Sequence, residues 1–341
     1  MITRRNAFKL AGAVGAGAAV TSLTGTAAAA ATGRDVLAVV EKGDRRLAFF
    51  DPDSGERLSD VVLGDYPHEI VADAECRYGY VGHYGVEFSS APGQGGSAVF
   101  VVDLRARSLL RTIELGPFHR VHGVRMDAAG RLYALSEEQA VLLGVDNPRT
   151  DPAPSRAVAT GGIKTHLFSL SRDGERAYVT GLLSHTVSLV RPHDPSVPPV
   201  VTTPGQLPES SCLSADERTL FVGARKTPAV VALDARTLRV KNELKVPGDP
   251  LRVYSVGEDR LLVTDLTGKS ISLLRTDFRP IWTAAMPGQP ASVAFHPSRP
   301  VAYVSLLDTQ RVAVVDLGGG RITSSFPTLR QPDSAVLIPA S

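Results

Sequence analysis

From Val36 onward, short apolar runs alternate with clusters of turn-forming residues. One stretch shows the pattern: Ser171-Arg-Asp-Gly174-Glu-Arg-Ala-Tyr178-Val-Thr180, then Thr186-Val-Ser-Leu-Val190. Asp173-Gly174 suits a tight turn, and the flanking apolar runs are strand-length. Related turns occur at Asp127-Ala-Ala-Gly130, Ala215-Asp-Glu217, Gly257-Glu-Asp259 and Pro297-Ser-Arg299. A short apolar strand follows each: Tyr133-Ala-Leu, Leu220-Phe-Val, Leu261-Leu-Val and Ala302-Tyr-Val. The next strand usually ends in Asp, as at Asp51, Asp103, Asp146, Asp234 and Asp316, with Arg191 and Arg275 in two units. A fourth strand then leads to a Gly, as in Leu109 to Gly116.

The seven strand ends, at 51, 103, 146, 191, 234, 275 and 316, are spaced by 52, 43, 45, 43, 41 and 41 residues. Four short strands per forty-odd residues is the period of a β-propeller blade. The pattern predicts an all-β fold, a seven-bladed β-propeller over residues 35–340. It also predicts how the ring closes. Val36–Val40, Leu47–Phe50 and Leu58–Leu63 supply three strands, and Ser334–Ile338 supplies one more to the same blade, removing open edges. The absence of Trp-Asp pairs excludes the WD40 kind; Trp282 is the single Trp. The Ser171–Thr180 unit, Ala302-Tyr-Val-Ser305 and the Val-Val-Asp strand ends resemble the YVTN-type propellers, a group with surface-layer and lactonase-like members. That resemblance implies the fold and leaves function open, because propellers host unrelated activities.

Residues 1–31 read as an export signal. Arg4-Arg5 opens a basic region, an apolar small-residue stretch runs from Leu10 to about Leu23, and Ala27–Ala31 offers cleavage sites near Ala31. The arginine pair resembles a twin-arginine signal, although Phe8 lies one position later than usual, so ordinary secretion stays open. The expectation is an exported protein, extracellular or in the periplasmic or cell-wall space. No segment is apolar enough to span a membrane.

Composition narrows the function. With 37 Lys+Arg against 35 Asp+Glu, nothing favours nucleic acid as a partner. The two cysteines, Cys76 and Cys212, belong to distant units, so no bridge is expected. The chain lacks a phosphate-binding loop, a G-x-S-x-G elbow and an H-E-x-x-H pair.

Stacking the repeats on their turns aligns His68, His122, His166, Ser211, Arg252, Ser292 and Ser334 at one rim of the central channel. Three of the chain's eight histidines thus share one slot in consecutive blades. Neutral imidazoles so grouped suit one divalent transition metal, Zn or Cu, with His68, His122 and His166 as ligands. Otherwise no cofactor is expected, and the trio serves as substrate or catalytic histidines, or as solvated lining. The loop after each second strand adds His83, Tyr84, Glu137-Glu138, His185, Arg225 and Asp265 to the same face; Arg120, Lys164 and Glu209 lie just before the channel strands. For catalysis the candidates are His122, His166 and Glu209; for substrate binding they are Arg252, His83, Tyr84, Arg120 and Arg225. Arg252 either grips a carboxylate or pairs with Asp265 or Glu209. The loop Ala91–Gly96 is either a lid over His68 and His83 or a simple insertion. The expected function is binding of a metal ion or small molecule in a His-lined central funnel, with or without catalysis, by a monomer. The alternatives are a metal- or histidine-dependent lactonase or lyase, and a protein-interaction scaffold.

Overall fold

The computed structural model describes residues 33–340, so the expected leader, residues 1–31, lies outside the described residues. Seven four-stranded antiparallel sheets follow one another around a central channel. The chain is a seven-bladed β-propeller. Among the described residues the only helical element is a 3-10 turn, Lys42–Asp44. None of those residues forms a helix long and apolar enough to cross a membrane.

Blades one to six each use four consecutive strands. Their inner strands are Pro67–Ala72, Val121–Met126, Thr165–Leu170, Pro208–Leu213, Pro250–Val256 and Pro290–Phe295. Blade seven is mixed, as the sequence predicts. Its inner strand is Pro332–Ile338, followed outward by Val36–Glu41, Arg46–Phe50 and Arg57–Val62. Val36 lies opposite Ile338 and Leu37 opposite Leu337. Strand alternation then locks this blade between both neighbours. Leu37 and Val39 pack with Tyr303 and Val314 of blade six. Ala38 and Val40 pack with Ile70 and Val81 of blade one.

Middle strands are covered on both faces, and so read as unbroken apolar runs. Ala177–Gly181 is buried throughout, whereas the outer strand Val240–Lys245 is almost wholly exposed. The recurring Asp at the end of the third strand has a local cause. Its carboxylate accepts backbone N–H groups two and three residues on: Asp53 and Ser54 for Asp51, Arg105 and Ala106 for Asp103, Arg236 and Thr237 for Asp234. This Asx turn satisfies donors that the strand leaves open.

Candidate functional site

Every inner strand carries a β-bulge just after its first residue. A bulge re-aims the next side chain. That side chain is His68, His122, His166, Glu209, Leu251, Ala291 and Asp333 in blades one to seven, and all seven line one cavity of about 350 Å3. The slot read from sequence is therefore right for blades one to three and displaced in the others. Ser211 lies two residues too far, and Arg252, Ser292 and Ser334 one residue too far. The physical reason is the turn chosen for alignment. Its marker is the side chain that caps the turn, five residues beyond the slot: Asp73, Asp127, Ser171, Ser214 and His296 each accept backbone N–H groups there. Aligning on these caps finds Glu209 and Ala291 directly.

The three histidines form a stacked column. The His68 and His122 ring centroids are 3.9 Å apart, and those of His122 and His166 are 3.7 Å apart. Tyr84 meets both His68 and His122 edge-on, at 5.3 and 4.8 Å. All four side chains are buried. At one end His166 sits between two carboxylates, donating from Nδ1 to Glu137 at 2.7 Å and from Nε2 to Glu209 at 3.0 Å. Burial opposes the charged ring, but Glu209 and Glu137 outweigh it and raise its pKa to about 9. His166 is thus an imidazolium at neutral pH, with both ring nitrogens facing carboxylates.

The middle and the other end differ. Burial holds His122 well below its ordinary pKa, and the neighbouring His166, His68, Arg252 and Lys42 push it further down. Among the described residues no group bonds either of its ring nitrogens; Nδ1 is fully buried and unpartnered. His68 is likewise held neutral, chiefly by burial and Lys42. Its Nδ1 lies 3.2 Å from Asp333 without hydrogen-bonding geometry, and its Nε2 lies 3.5 Å from Lys42 Nζ.

The remaining charges are paired. Glu209 shares its second oxygen with Arg225 Nη1 at 3.2 Å, and Arg225 also makes a two-pronged bond to Asp249 at 2.6 and 2.7 Å. Burial disfavours the Glu209 carboxylate, but His166, Arg225 and Arg252 hold it well below the usual carboxylate range. Glu209 is thereby a counter-ion with both oxygens engaged. Arg252 pairs with neither Asp265 nor Glu209. It crosses the channel from blade five to Glu69 in blade one, Nη2 donating at 2.8 Å. Lys42 Nζ lies 3.4 Å from Asp333. Tyr84 donates to both oxygens of Glu137, at 3.0 and 2.9 Å.

Two sequence candidates stand away from the cavity. His83 is half-buried beside Phe100, centroids 5.1 Å apart. Arg120 is a loop anchor: its guanidinium donates to the carbonyls of Ser89, Ala91 and Gly93 at 2.9, 2.8 and 2.8 Å. The loop reaches the cavity through Glu87–Ser90, which cover it as a lid, whereas Ala91–Gly96, the stretch expected to cover His68 and His83, does not line it and serves to anchor that cover. Gly95 makes the approach possible. It adopts a φ of 81°, and a Cβ there would lie 2.6 Å from the Arg120 Cγ. Much of the wall is aliphatic, with Leu182, Leu207, Leu251, Leu266, Ala291 and Leu307. Sequence reasoning missed Lys42, Glu69 and Asp333. Glu69 directly follows His68, and Asp333 is the slot residue of the last inner strand; Lys42, in the turn of the mixed blade, carries no repeat signal.

A single ligand atom each from His68, Glu69 and His122 can lie within 4.8 Å of one another, a spacing that suits a metal ion. The same three residues face Lys42 and Arg252, which compete with any cation. The two cysteines are free thiols. Cys212 lines a second cavity, of about 540 Å3, at the other end of the channel, and burial raises its pKa far above the ordinary thiol range. Glu69 and Arg252 also line that second cavity.

No protein-family model matches the chain, and no curated protein matches it in sequence. Solved structures share the fold. One is dihydro-heme d1 dehydrogenase NirN in complex with DHE, with a TM-score of 0.62 and 13% identity over 86% of this chain and 63% of that one. Another is the β-propeller domain of Cps50 (Swd1) from Myceliophteria thermophila, with a TM-score of 0.66 and 12% identity over 79% of this chain and 88% of that one. The chain thus spans less than two thirds of the NirN chain. At these identities the likeness shows the fold alone.

Proposed function

We propose that the propeller binds a small organic molecule in its funnel, with the histidine column meeting the polar end of that molecule. One observation carries this reading. His122 lies at the centre of the column with both ring nitrogens unbonded, while every charged group facing the cavity already has a partner. A buried polar group without a partner costs about 1–3 kcal/mol. A ligand that bonds it recovers that cost, and the aliphatic wall and the lid supply apolar contact. Membership of the YVTN-type group and export by the leader segment belong to the same proposal. The lactonase-like alternative uses this site too, with neutral His122 as the base and cationic His166 as the acid.

The test is thermal melting with a panel of small acids, lactones and neutral alcohols. A ligand at a hundred times its Kd adds about 2.7 kcal/mol to stability. The wild type is expected to melt higher with at least one probe class, and His122→Ala is expected to lose the shift. If no probe moves the wild type, the reading fails. A metal is the second reading, favoured by the His68, Glu69 and His122 spacing. About one Zn or Cu per chain after incubation, lost in a His68→Ala/His122→Ala variant, would put the metal reading first. N-terminal sequencing of chain recovered outside the cell tests export, with cleavage expected near Ala31.

A further inference from the structure

We infer that the ligand of this funnel is an amphipathic carboxylate, a small acid whose head sits over His122 and Arg252 and whose apolar body lies on the leucine wall. The inference rests on the funnel reading and names its substrate class.

Three observations converge. The first is the inventory of unused donors at the floor. Arg252 spends Nη2 on Glu69; its Nε is buried without a partner, and its Nη1 makes no hydrogen bond among the described residues. Lys42 has only long contacts, 3.4 Å to Asp333 and 3.5 Å to His68. The carboxylates Glu69, Glu137 and Glu209 are all taken up by Arg252, His166, Tyr84 and Arg225. Open acceptor capacity is left on Asp333, beneath Lys42, and on Glu87, at the lid, which already accepts from Gln331 Nε2 at 2.7 Å.

The second is the sign of the local field. Lys42, His166 and Arg252 stand around His122; His166 is already held by Glu137 and Glu209, so an anionic head meets Lys42 and the donors that Arg252 leaves free, where a cationic head would be repelled. Their field also pushes the His122 pKa down. Charge-assisted bonds of a carboxylate to a guanidinium are roughly twice as strong as neutral ones, and the planar Arg fork matches a carboxylate.

The third is shape. The cavity has about 350 Å3, near the lower limit of ligand pockets. Its polar lining runs from Lys42 and Asp333 over the histidine column to Glu209, Arg225 and Arg252. Leu182, Leu207, Leu251 and Leu266 line the rest of the wall, with Phe88 in the lid above. A purely polar anion would leave that wall uncovered, and an uncharged apolar molecule would leave Arg252 and His122 unsatisfied.

Calorimetric titration of the full chain with octanoate, octan-1-ol and acetate tests this. Octanoate is expected to bind at least about tenfold more tightly than either of the others. Two variants move the preference in opposite directions. Arg252→Lys keeps the charge opposite Glu69 but loses the fork, and is expected to weaken octanoate several-fold with octan-1-ol unchanged. Glu69→Gln removes a competing negative charge and releases Arg252, and is expected to tighten octanoate several-fold. Melting curves of each variant confirm folding. Octan-1-ol binding as tightly as octanoate, or Glu69→Gln weakening octanoate, overturns the inference and leaves the funnel reading standing. The funnel reading fails separately, when no member of the wider panel shifts the melting of the wild type.

Discussion

Blades one to three and blades five and six present the same backbone slot to the same cavity. On one side the bulge aims His68, His122 and His166; on the other it aims Leu251 and Ala291. The bulge is common to all, so geometry does not distinguish the two walls. What differs is the side chains' demand for partners. Leu251 needs only burial. The imidazoles drew in Glu137, Glu209, Tyr84 and Lys42 from neighbouring loops, and only His122 was left without a bond. The comparison teaches that the scaffold sets where chemistry can occur, and the second layer of charges decides which residue is free to do it.

The largest expected effect abolishes both walls together. Deleting residues 332–341 removes the inner strand of the mixed blade and Asp333 with it. Loss of cooperative melting, followed by circular dichroism, is expected. A variant that still melts in one sharp transition would show that the ring closes without that strand.

Next comes the charged wall alone. Glu137 is fully buried and serves His166, Tyr84 and Arg120. Glu137→Ala leaves buried partners uncompensated, and a cost of about 3–5 kcal/mol is expected in urea unfolding. The ligand-free apolar wall gives no comparable loss. A cost under about 1 kcal/mol would mean that water replaces the carboxylate.

The two walls should also respond differently to pH. His166 has its pKa raised from 6.5 to about 9, so it keeps a proton that the unfolded chain releases. Its contribution to stability is full below about 6.5 and is lost as pH rises through 9, by up to about 1.4 kcal/mol per pH unit. His68 and His122 have lowered values and act in the opposite sense: they cost stability as pH falls below 6.5. Urea midpoints across pH 5–10 should therefore fall at both ends. In Glu137→Ala the alkaline loss should be smaller and complete at a lower pH, because one of the two carboxylates that support the imidazolium is gone. The smallest effect belongs to the aliphatic wall. Leu251→Ala trims a residue that already borders open space, so a cost of about 2 kcal/mol is expected, with octanoate affinity falling and histidine titration unchanged.

The fold was legible because its signals are local and repeated. Asp51, Asp103, Asp234 and Asp316 cap turns in the same way each time, and the buried apolar middle strands repeat with them. The mixed blade was legible from the strands left over at each end. The site was legible only in part. The histidine slot stands out because three blades share one residue type. Glu209 was named as a candidate but placed outside the slot, and Asp333 was missed, because the alignment on the turns slipped in blades four to seven. The Arg252 partner Glu69 lies 183 residues away along the chain, a separation that no blade period predicts. Lys42 reaches the column from a turn that only one blade possesses.

The central claim is that His122 is a neutral, unbonded imidazole poised for a ligand beside a cationic His166. Imidazole nitrogen NMR of the full chain, with His122 and His166 assigned by substitution, tests it most directly. The account predicts that at pH 7.5 His166 is doubly protonated and stays so until about pH 9, while His122 is neutral well below pH 6.5. It further predicts that octanoate moves the His122 resonances most. A His122 that titrates near 6.5 and ignores every probe would mark the column as ordinary water-filled lining and contradict the account.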